Sequence, residues 1–253
     1  MQELKVGLAF GNLGDEKRRR IMKKLLSILA CFAFVIVGGI ALVACGEEEP
    51  AKMSEADFLT AIQTKDEVVL TGDVNLTKTV VIDKEVTINL NGKSITEGMT
   101  WKQNDPGKTL AMFQIVDGGE LTVKGDGKVT SDDLYIFPVK GSEENHSAKL
   151  VIEDGSYKTF CSVVQVSYGA AEVKGGAYEI TNSDYTKYTL NLIDNRVNAT
   201  ITVTGGTFKN YDPAAGKSEP TTSGIKSFVP EGYESKETSE GSNVWVVSAK
   251  EAA

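Results

Sequence analysis

The spacing of apolar residues changes near residue 67. Before that point, apolar residues recur at the spacing of one helix face within Ser54–Gln63, and Ser54 can accept a backbone hydrogen bond as an N-cap. We therefore predict a short helix in residues 54–66. From residue 67 to residue 211 the period becomes two, Val, Ile and Thr dominate, and Gly, Asn and Asp interrupt them. This pattern predicts short strands joined by tight turns.

The predicted strands recur in a common frame. It consists of two apolar residues with one residue between them, a polar residue, a glycine-containing corner and a further apolar or aromatic residue. Alternate strand residues face one side, and glycine allows the chain to turn at the corner. The five copies start at Ile88, Leu121, Leu150, Ala171 and Ile201. The distances between successive starts are therefore 33, 29, 21 and 30 residues.

One such unit cannot bury its apolar face alone, whereas stacked units share a continuous core. Repeats of this length without intervening helices favour an all-β fold, a right-handed parallel β-helix, whose N-terminal end is capped by the helix in residues 54–66. The alternative is an antiparallel β-sandwich or β-roll, because Gly-Gly between apolar strands is also typical of hairpins.

The last part of the chain, residues 212–253, differs from the repeats. It starts with a segment rich in Pro, Gly, Ser and Thr, which predicts a loop over Asp212–Gly224. Two apolar segments follow and predict a final β closure. We expect Phe228, Tyr233 and Trp245 to cover the C-terminal end of the stack.

Over residues 67–211 these repeats resemble the pectin-lyase-like β-helix proteins of bacterial surfaces. The resemblance concerns the architecture, and it implies contact with carbohydrate or a cell-envelope polymer. Lyases of that family pair acidic calcium ligands with a basic residue, which makes Arg196, beside Asp194, the catalytic candidate here. A solvated turn is the alternative interpretation of Arg196. We therefore expect a non-enzymatic binding or adhesion domain, with a carbohydrate-active enzyme or a structural spacer of the envelope as alternatives.

The N-terminal segment is typical of secretion. Residues 22–24 read Met-Lys-Lys, an almost wholly apolar stretch follows to Val43, and Leu42-Val43-Ala44-Cys45 ends it. These four residues resemble the bacterial lipobox. The resemblance implies that residues 22–44 are a signal peptide, that Cys45 is lipidated, and that residues 45–53 form a polar linker. An uncleaved transmembrane helix is the alternative, because the apolar stretch could just span a bilayer.

Residues 1–21 precede this signal. Lys17–Met22 can be encoded by a purine-rich ribosome-binding site followed by a start codon, so we predict that translation starts at Met22. A genuine, long basic leader is the alternative.

The charge distribution narrows the choice of partners. The whole chain has a formal net charge of −8. Up to Ala44 it holds seven Lys/Arg and three Asp/Glu, whereas from Cys45 onward it holds 20 and 32, a net charge of −12. Proteins that bind nucleic acid concentrate positive charge, so no such partner is expected. An acidic body is also repelled by anionic lipids, so we expect attachment to the extracytoplasmic face of the cell membrane through the lipid on Cys45.

The cysteines and the single histidine of the chain give little support for catalysis. Cys31 lies in the predicted signal, which leaves Cys161 without a disulfide partner, and we interpret it as a small buried hydrophobic residue. His146 lies in a polar stretch that predicts a loop and not a rigid catalytic site. A zinc site needs three or four His or Cys ligands, so neither zinc nor another cofactor is expected.

Calcium is the one metal that the composition leaves open, because carboxylate oxygens are its usual ligands. No EF-hand loop and no glycine-rich nonapeptide array is present. The candidate ligands are Asp126, Asp132, Asp133 and Asp154.

Overall fold

Strands are the main secondary structure of the part of the chain that the structure describes and make up about half of it. The structure, a computed structural model, describes residues 52–99, 110–184, 188–193, 198–217 and 225–251. All of them belong to the second of two compact units, Glu49–Ala253. The predictions for residues 1–44 and for Cys45 lie outside the described residues.

The strands are short and follow one another closely. Their bounds in chain order are β1 (Glu67–Val69), β2 (Val74–Leu76), β3 (Val80–Ile82), β4 (Glu85–Asn89), β5 (Ser94–Glu97), β6 (Phe113–Ile115), β7 (Glu120–Lys124), β8 (Lys128–Thr130), β9 (Phe137–Lys140), β10 (Lys149–Ile152), β11 (Ser156–Thr159), β12 (Val164–Val173), β13 (Ala177–Ile180), β14 (Leu190–Leu192), β15 (Ala199–Val203), β16 (Gly206–Lys209), β17 (Gly216–Lys217), β18 (Ile225–Lys226), β19 (Tyr233–Glu237) and β20 (Val244–Ala249).

Up to β16 the strands pair in parallel with strands further along the chain, in three series. The first series is β1-β4-β7-β10-β12-β15, and the second is β2-β5-β8-β11-β13-β16. The third is β3-β6-β9-β12-β14. The long strand β12 belongs to two series, because its first half pairs with β9 and β14 and its second half with β10 and β15. The antiparallel alternative is therefore wrong for β1–β16.

Four of the five predicted repeats have the predicted register, whereas the first is displaced by two residues. Leu121, Leu150, Ala171 and Ile201 pair in succession. The strand partner of Leu121 on its other side is Val86 and not the predicted Ile88.

A longer corner explains this displacement. In the first repeat six residues lie between the inward-facing Ile88 and Ile95, whereas five lie between their partners in the second repeat and four in the third. The prediction took Leu90 as a strand residue, but it lies buried after the strand has ended. The turn is made by Asn91 and Gly92, whose φ angles are 49° and 70°, a conformation that Asn and Gly adopt more readily than other residues.

The predicted helix is present as α1, Glu55–Thr64. Its N-cap is Ser54, whose Oγ accepts a hydrogen bond from the backbone N–H of Asp57 at 3.1 Å. Phe58 and Ile62 are buried, and the helix contacts β1 and β2. It therefore lies against the first strands of the repeats, while its role as a cap stays a prediction.

The inward residues stack from repeat to repeat. The clearest case is a row of aromatic rings. Tyr157–Tyr178 and Tyr178–Phe208 are stacked, with centroids 5.3 and 4.6 Å apart. Phe113–Phe137 is tilted at 5.4 Å, and Phe137–Tyr157 meets edge to face at 5.6 Å. The two buried tyrosine hydroxyls donate to corner carbonyls, that of Asp154 and that of Gly175. Burial raises the pKa of both tyrosines, so they remain neutral donors.

Two hairpins follow the repeats. β20 pairs antiparallel with β16 and with β19, and β17 pairs antiparallel with β18. Phe228 is buried and Tyr233 packs against the core, as predicted, while Trp245 is half-buried opposite Phe208. Residues 212–224 were predicted to form a loop. Their first part instead forms a 3-10 turn, Pro213–Ala215, which is followed by β17.

Tyr178 tests the aromatic stack. We expect Tyr178→Ala to lower the free energy of unfolding by about 3–5 kcal/mol, because it removes a ring stacked on both sides. Tyr178→Phe keeps the ring and removes only the hydrogen bond to Gly175, at a cost of about 1 kcal/mol. Urea unfolding of the two variants gives the comparison, and equal losses would show that the hydroxyl, not the ring, matters.

Candidate ligand-binding surface

The three series of strands present three outward surfaces with different chemistry. The first series carries a ladder of ion pairs. Their N–O distances are 3.0 Å for Lys124–Glu67, 3.1 Å for Lys149–Glu120, 3.5 Å for Lys149–Glu172 and 3.3 Å for Lys174–Glu172. The hydrogen bond from Lys149 to Glu120 raises the pKa of Lys149 above its usual value.

The second series repeats this arrangement around one carboxylate. Glu179 lies 2.7 Å from the Nζ of Lys209 and 3.3 Å from that of Lys158. The hydrogen bond from Lys209 is the main reason that the pKa of Glu179 is lowered. On both surfaces several lysines and glutamates of nearby strands form ion pairs with one another.

The third series has a different outward surface. Its mid-strand outward positions are uncharged, namely Val81, Gln114, Pro138, Gln165 and Asn191. Of these, Val81 is 53% exposed, Gln114 and Gln165 are half-buried, and Pro138 and Asn191 are buried. We call Val81, Gln114 and Gln165, the members that solvent reaches, the glutamine column.

The flank of the glutamine column adds a cation and an aromatic residue. Lys140, which ends β9, pairs with the half-buried Tyr168 of β12 after a shift of register between Val166 and Tyr168. Burial lowers the pKa of Lys140, and within the described residues no ion pair involves it. Amide, ammonium and phenol groups together offer hydrogen-bond donors and acceptors here.

A groove opens where the glutamine column begins. It has a volume of about 530 Å³ and lies between α1, which contributes Leu59, Ile62 and Gln63, and the segment Lys78–Lys84 with Val86. Val81 therefore faces both the groove and the column. In the part of the chain that is described, no strand pairs with the outer edge of β3.

The carboxylates predicted as calcium ligands lie at two different corners. Asp126 and Asp154 are exposed at the corners that follow β7 and β10, and the Asp154 Oδ1 accepts the Gly155 N–H at 2.8 Å. Asp132 and Asp133 lie between β8 and β9, where their backbone N–H groups donate to the Glu97 carboxylate at 3.1 and 3.3 Å. The four are not brought together. Among the described residues no three His, Cys, Asp or Glu side chains form a group that could hold a metal ion.

The other residues considered for chemistry are also separate. His146 is exposed in a loop, with its Nε2 3.1 Å from the Asn198 amide nitrogen. Arg196 and Asp194 lie outside the described residues. Cys161 is fully buried, which confirms its interpretation as a small core residue. Its pKa is raised to about 11, chiefly by burial and further by the carboxylates of Asp133 and Glu97.

The sequence contains a signal for the glutamine column that the prediction did not use. Phe113-Gln114-Ile115 and Val164-Gln165-Val166 each place one glutamine between two buried apolar residues. This pattern occurs on two strands separated in their series only by β9. The sequence therefore shows that each of these otherwise apolar strands carries an amide at its outward position. Only the strand register shows that the two amides lie on one surface.

Comparison with known proteins found no matching family model, no matching curated protein and no matching solved structure. Within the described residues, no helix is long and apolar enough to span a membrane.

Cys161 provides a test of the packing beside this surface. A thiol with a pKa of about 11 is ionised to only about one part in a thousand at pH 8, and burial blocks reagents as well. We expect Cys161 of the processed protein to react with a thiol reagent at least about 100-fold more slowly when native than when unfolded in urea. A similar rate in both states would contradict this, and Cys161→Ser is the control for background labelling.

Proposed function

We propose that this protein is a bacterial cell-surface lipoprotein whose extracytoplasmic domain is a right-handed parallel β-helix that binds carbohydrate or a cell-envelope polymer without transforming it. The observation that carries the binding proposal is the glutamine column. It is an uncharged strip of amide and apolar groups beside two surfaces of paired charges.

The proposed β-helix is supported by the order of pairing. Each coil contributes one strand to the first series, one to the second and one to the third, and then the order repeats. Parallel strands cannot be joined by a tight hairpin, and crossovers between them are right-handed in about 98% of cases. A continuous right-handed winding of the chain accounts for these pairings most simply.

The proposed anchor is supported by the sequence alone. The charged start at Met22, the apolar stretch and the Leu-Val-Ala-Cys ending support a lipid on Cys45. Only six residues separate Cys45 from Lys52, which forms a bridge to Asp73 before β2. Seven extended steps span at most about 25 Å. The N-terminal end of the domain would therefore lie near the bilayer, and its sides would be accessible.

The choice of carbohydrate follows from the spacing and chemistry of the column. Gln114 and Gln165 lie on strands two places apart, β6 and β12, so they are separated by about 10 Å. This is close to the length of a disaccharide in an extended glycan. Each amide can donate to one hydroxyl and accept from another, while Val81 and the flanking Tyr168 offer apolar contact to sugar ring faces.

The lipid anchor can be tested separately from binding. We expect the native protein to be found in the membrane fraction, with intact mass and peptide mapping showing a diacylglyceryl thioether on Cys45 as the first residue. Cys45→Ser should keep its leader and lack the lipid. An unmodified Cys45 thiol in a chain that retains its leader would overturn this part of the proposal.

Binding can be tested with a glycan array that includes bacterial wall polymers. We expect selective binding, and we expect Gln114→Ala combined with Gln165→Ala to weaken it at least tenfold, because about 1 kcal/mol is lost for each hydrogen bond. The matched control is Thr87→Ala combined with Thr122→Ala, which changes two paired residues of the first series. Absence of any bound glycan, or equal affinity of both double variants, would refute the assignment.

A further inference from the structure

The residues that lead into α1 already pair with the first turn of the repeats. Lys52 forms a parallel bridge with Asp73, and the Met53 N–H donates to the Asp73 carbonyl at 2.9 Å. Asp73 lies directly before β2, so these residues run beside the start of the second series. Because the bridge is parallel, the chain before Lys52 is directed back along the residues before Asp73, towards β1.

The outer edge of β1 is open within the described residues, where β1 pairs with β4 alone. The Leu70 N–H donates to the Asn89 carbonyl at 2.9 Å and so points towards β4. Since successive N–H groups of a strand point to opposite sides, the Val69 N–H points to the open edge. Val69 is 45% exposed, and it and Val81 are the two large apolar residues that the described part of the chain exposes. Such an edge can pair with one more strand.

A groove with a volume of about 470 Å³ lies between β1 and α1. The charged residues that line it are Lys52, Lys65 and Asp57, which gives it a positive balance. The chain from Cys45 onward has in contrast a net charge of −12. The segment directly before Lys52, residues 46–51, reads Gly-Glu-Glu-Glu-Pro-Ala and carries three negative charges. Opposite charge and chain direction therefore both favour this segment as the occupant of the groove.

We propose that residues 46–51 bind in this groove as a parallel strand on the outer edge of β1. The Lys52–Asp73 bridge sets the direction and the register of this strand. Counting back four residues on both sides of the bridge places Glu48 beside Val69. The added strand is the start of one more coil ahead of the first repeat, and it does not depend on the proposed carbohydrate ligand.

This register suits the sequence of the segment. The Glu47 carbonyl and the Glu49 N–H face β1, where they pair with the N–H and the carbonyl of Val69. The nitrogen of Pro50 faces away from β1, and proline is tolerated at an edge position of this kind. The one residue of the segment that cannot donate a hydrogen bond is therefore at a position where no donor is needed.

The added strand changes how the proposed anchor holds the domain, and this consequence alone rests on the lipid proposed for Cys45. With residues 46–51 bound, the free connection between the lipid and the domain is reduced to the link between Cys45 and Gly46. The domain is then held with its N-terminal end against the bilayer and its coils directed outward. A failure of the strand would appear in the pairing tests below, whereas a failure of the anchor would appear in the mass of Cys45.

Disulfide cross-linking of the processed protein in detergent tests the pairing. In Glu48→Cys combined with Val69→Cys, parallel pairing brings the two Cα atoms to about 5 Å, within disulfide range. We expect mild oxidation to link most molecules internally, as peptide mapping can show. The matched control is Glu48→Cys combined with Val81→Cys, which changes the other exposed valine and should link at least tenfold more slowly. Equal rates for the two pairs, or links mainly between molecules, would overturn the proposal.

Proline substitution gives a second measurement that needs no cysteine. Glu49→Pro removes an N–H that faces β1, whereas Glu48→Pro, the matched control, removes one that faces away. We expect hydrogen exchange of the Val69 N–H, followed by NMR, to be at least tenfold faster in Glu49→Pro than in the wild type and unchanged in Glu48→Pro. Similar exchange in all three proteins would refute the added strand.

Discussion

The structure depends on the backbone hydrogen bonds that hold each strand in register with the strands before and after it in its series. Because the pairs are parallel and in register, every inward side chain lies beside an inward side chain of the next repeat. The corners of successive repeats must also lie close to one another. A methyl group on Gly175 would lie 2.1 Å from the carbonyl oxygen of Glu153, so only glycine allows the two turns of chain to approach there.

This register has opposite consequences for the two sides of the strands. Inside, it brings Tyr157, Tyr178 and Phe208 into a stack in which each ring fills the space beside the next. Outside, the register places corresponding residues of successive repeats beside one another. Charges of the same sign would therefore be neighbours unless the sequence alternates them. Glu179 between Lys158 and Lys209 is one such alternation. Exposed pairs of this kind stabilise little, but the like charges that they replace would repel.

The sequence allowed the elements to be predicted better than their alignment. The N-cap at Ser54 and the frames from Leu121 onward depend on local chemistry, namely a hydroxyl at a helix start and glycine at a corner, so they were readable. The displacement of the first repeat was not, because Leu90 continues the alternation of the strand although the chain has already turned. The glutamine column was missed for another reason. Gln114 and Gln165 lie on strands that are far apart in the sequence, and only the pairing order of β6, β9 and β12 shows that they belong to one surface.

The difference between inward and outward strand positions explains why we look for function at the outward positions of the third series. Inward positions are fixed by packing, and corners by the close approach of the backbone, so neither can vary freely to suit a ligand. On the first two series the outward charges are engaged with one another. Gln114 and Gln165 take no part in such ion pairs. The backbone pairing of the strands does not require an amide at these positions, and two opposite charges would lie beside one another on successive repeats equally well. Under the proposed function, contact with a ligand outside the chain would account for these two amides between buried apolar residues.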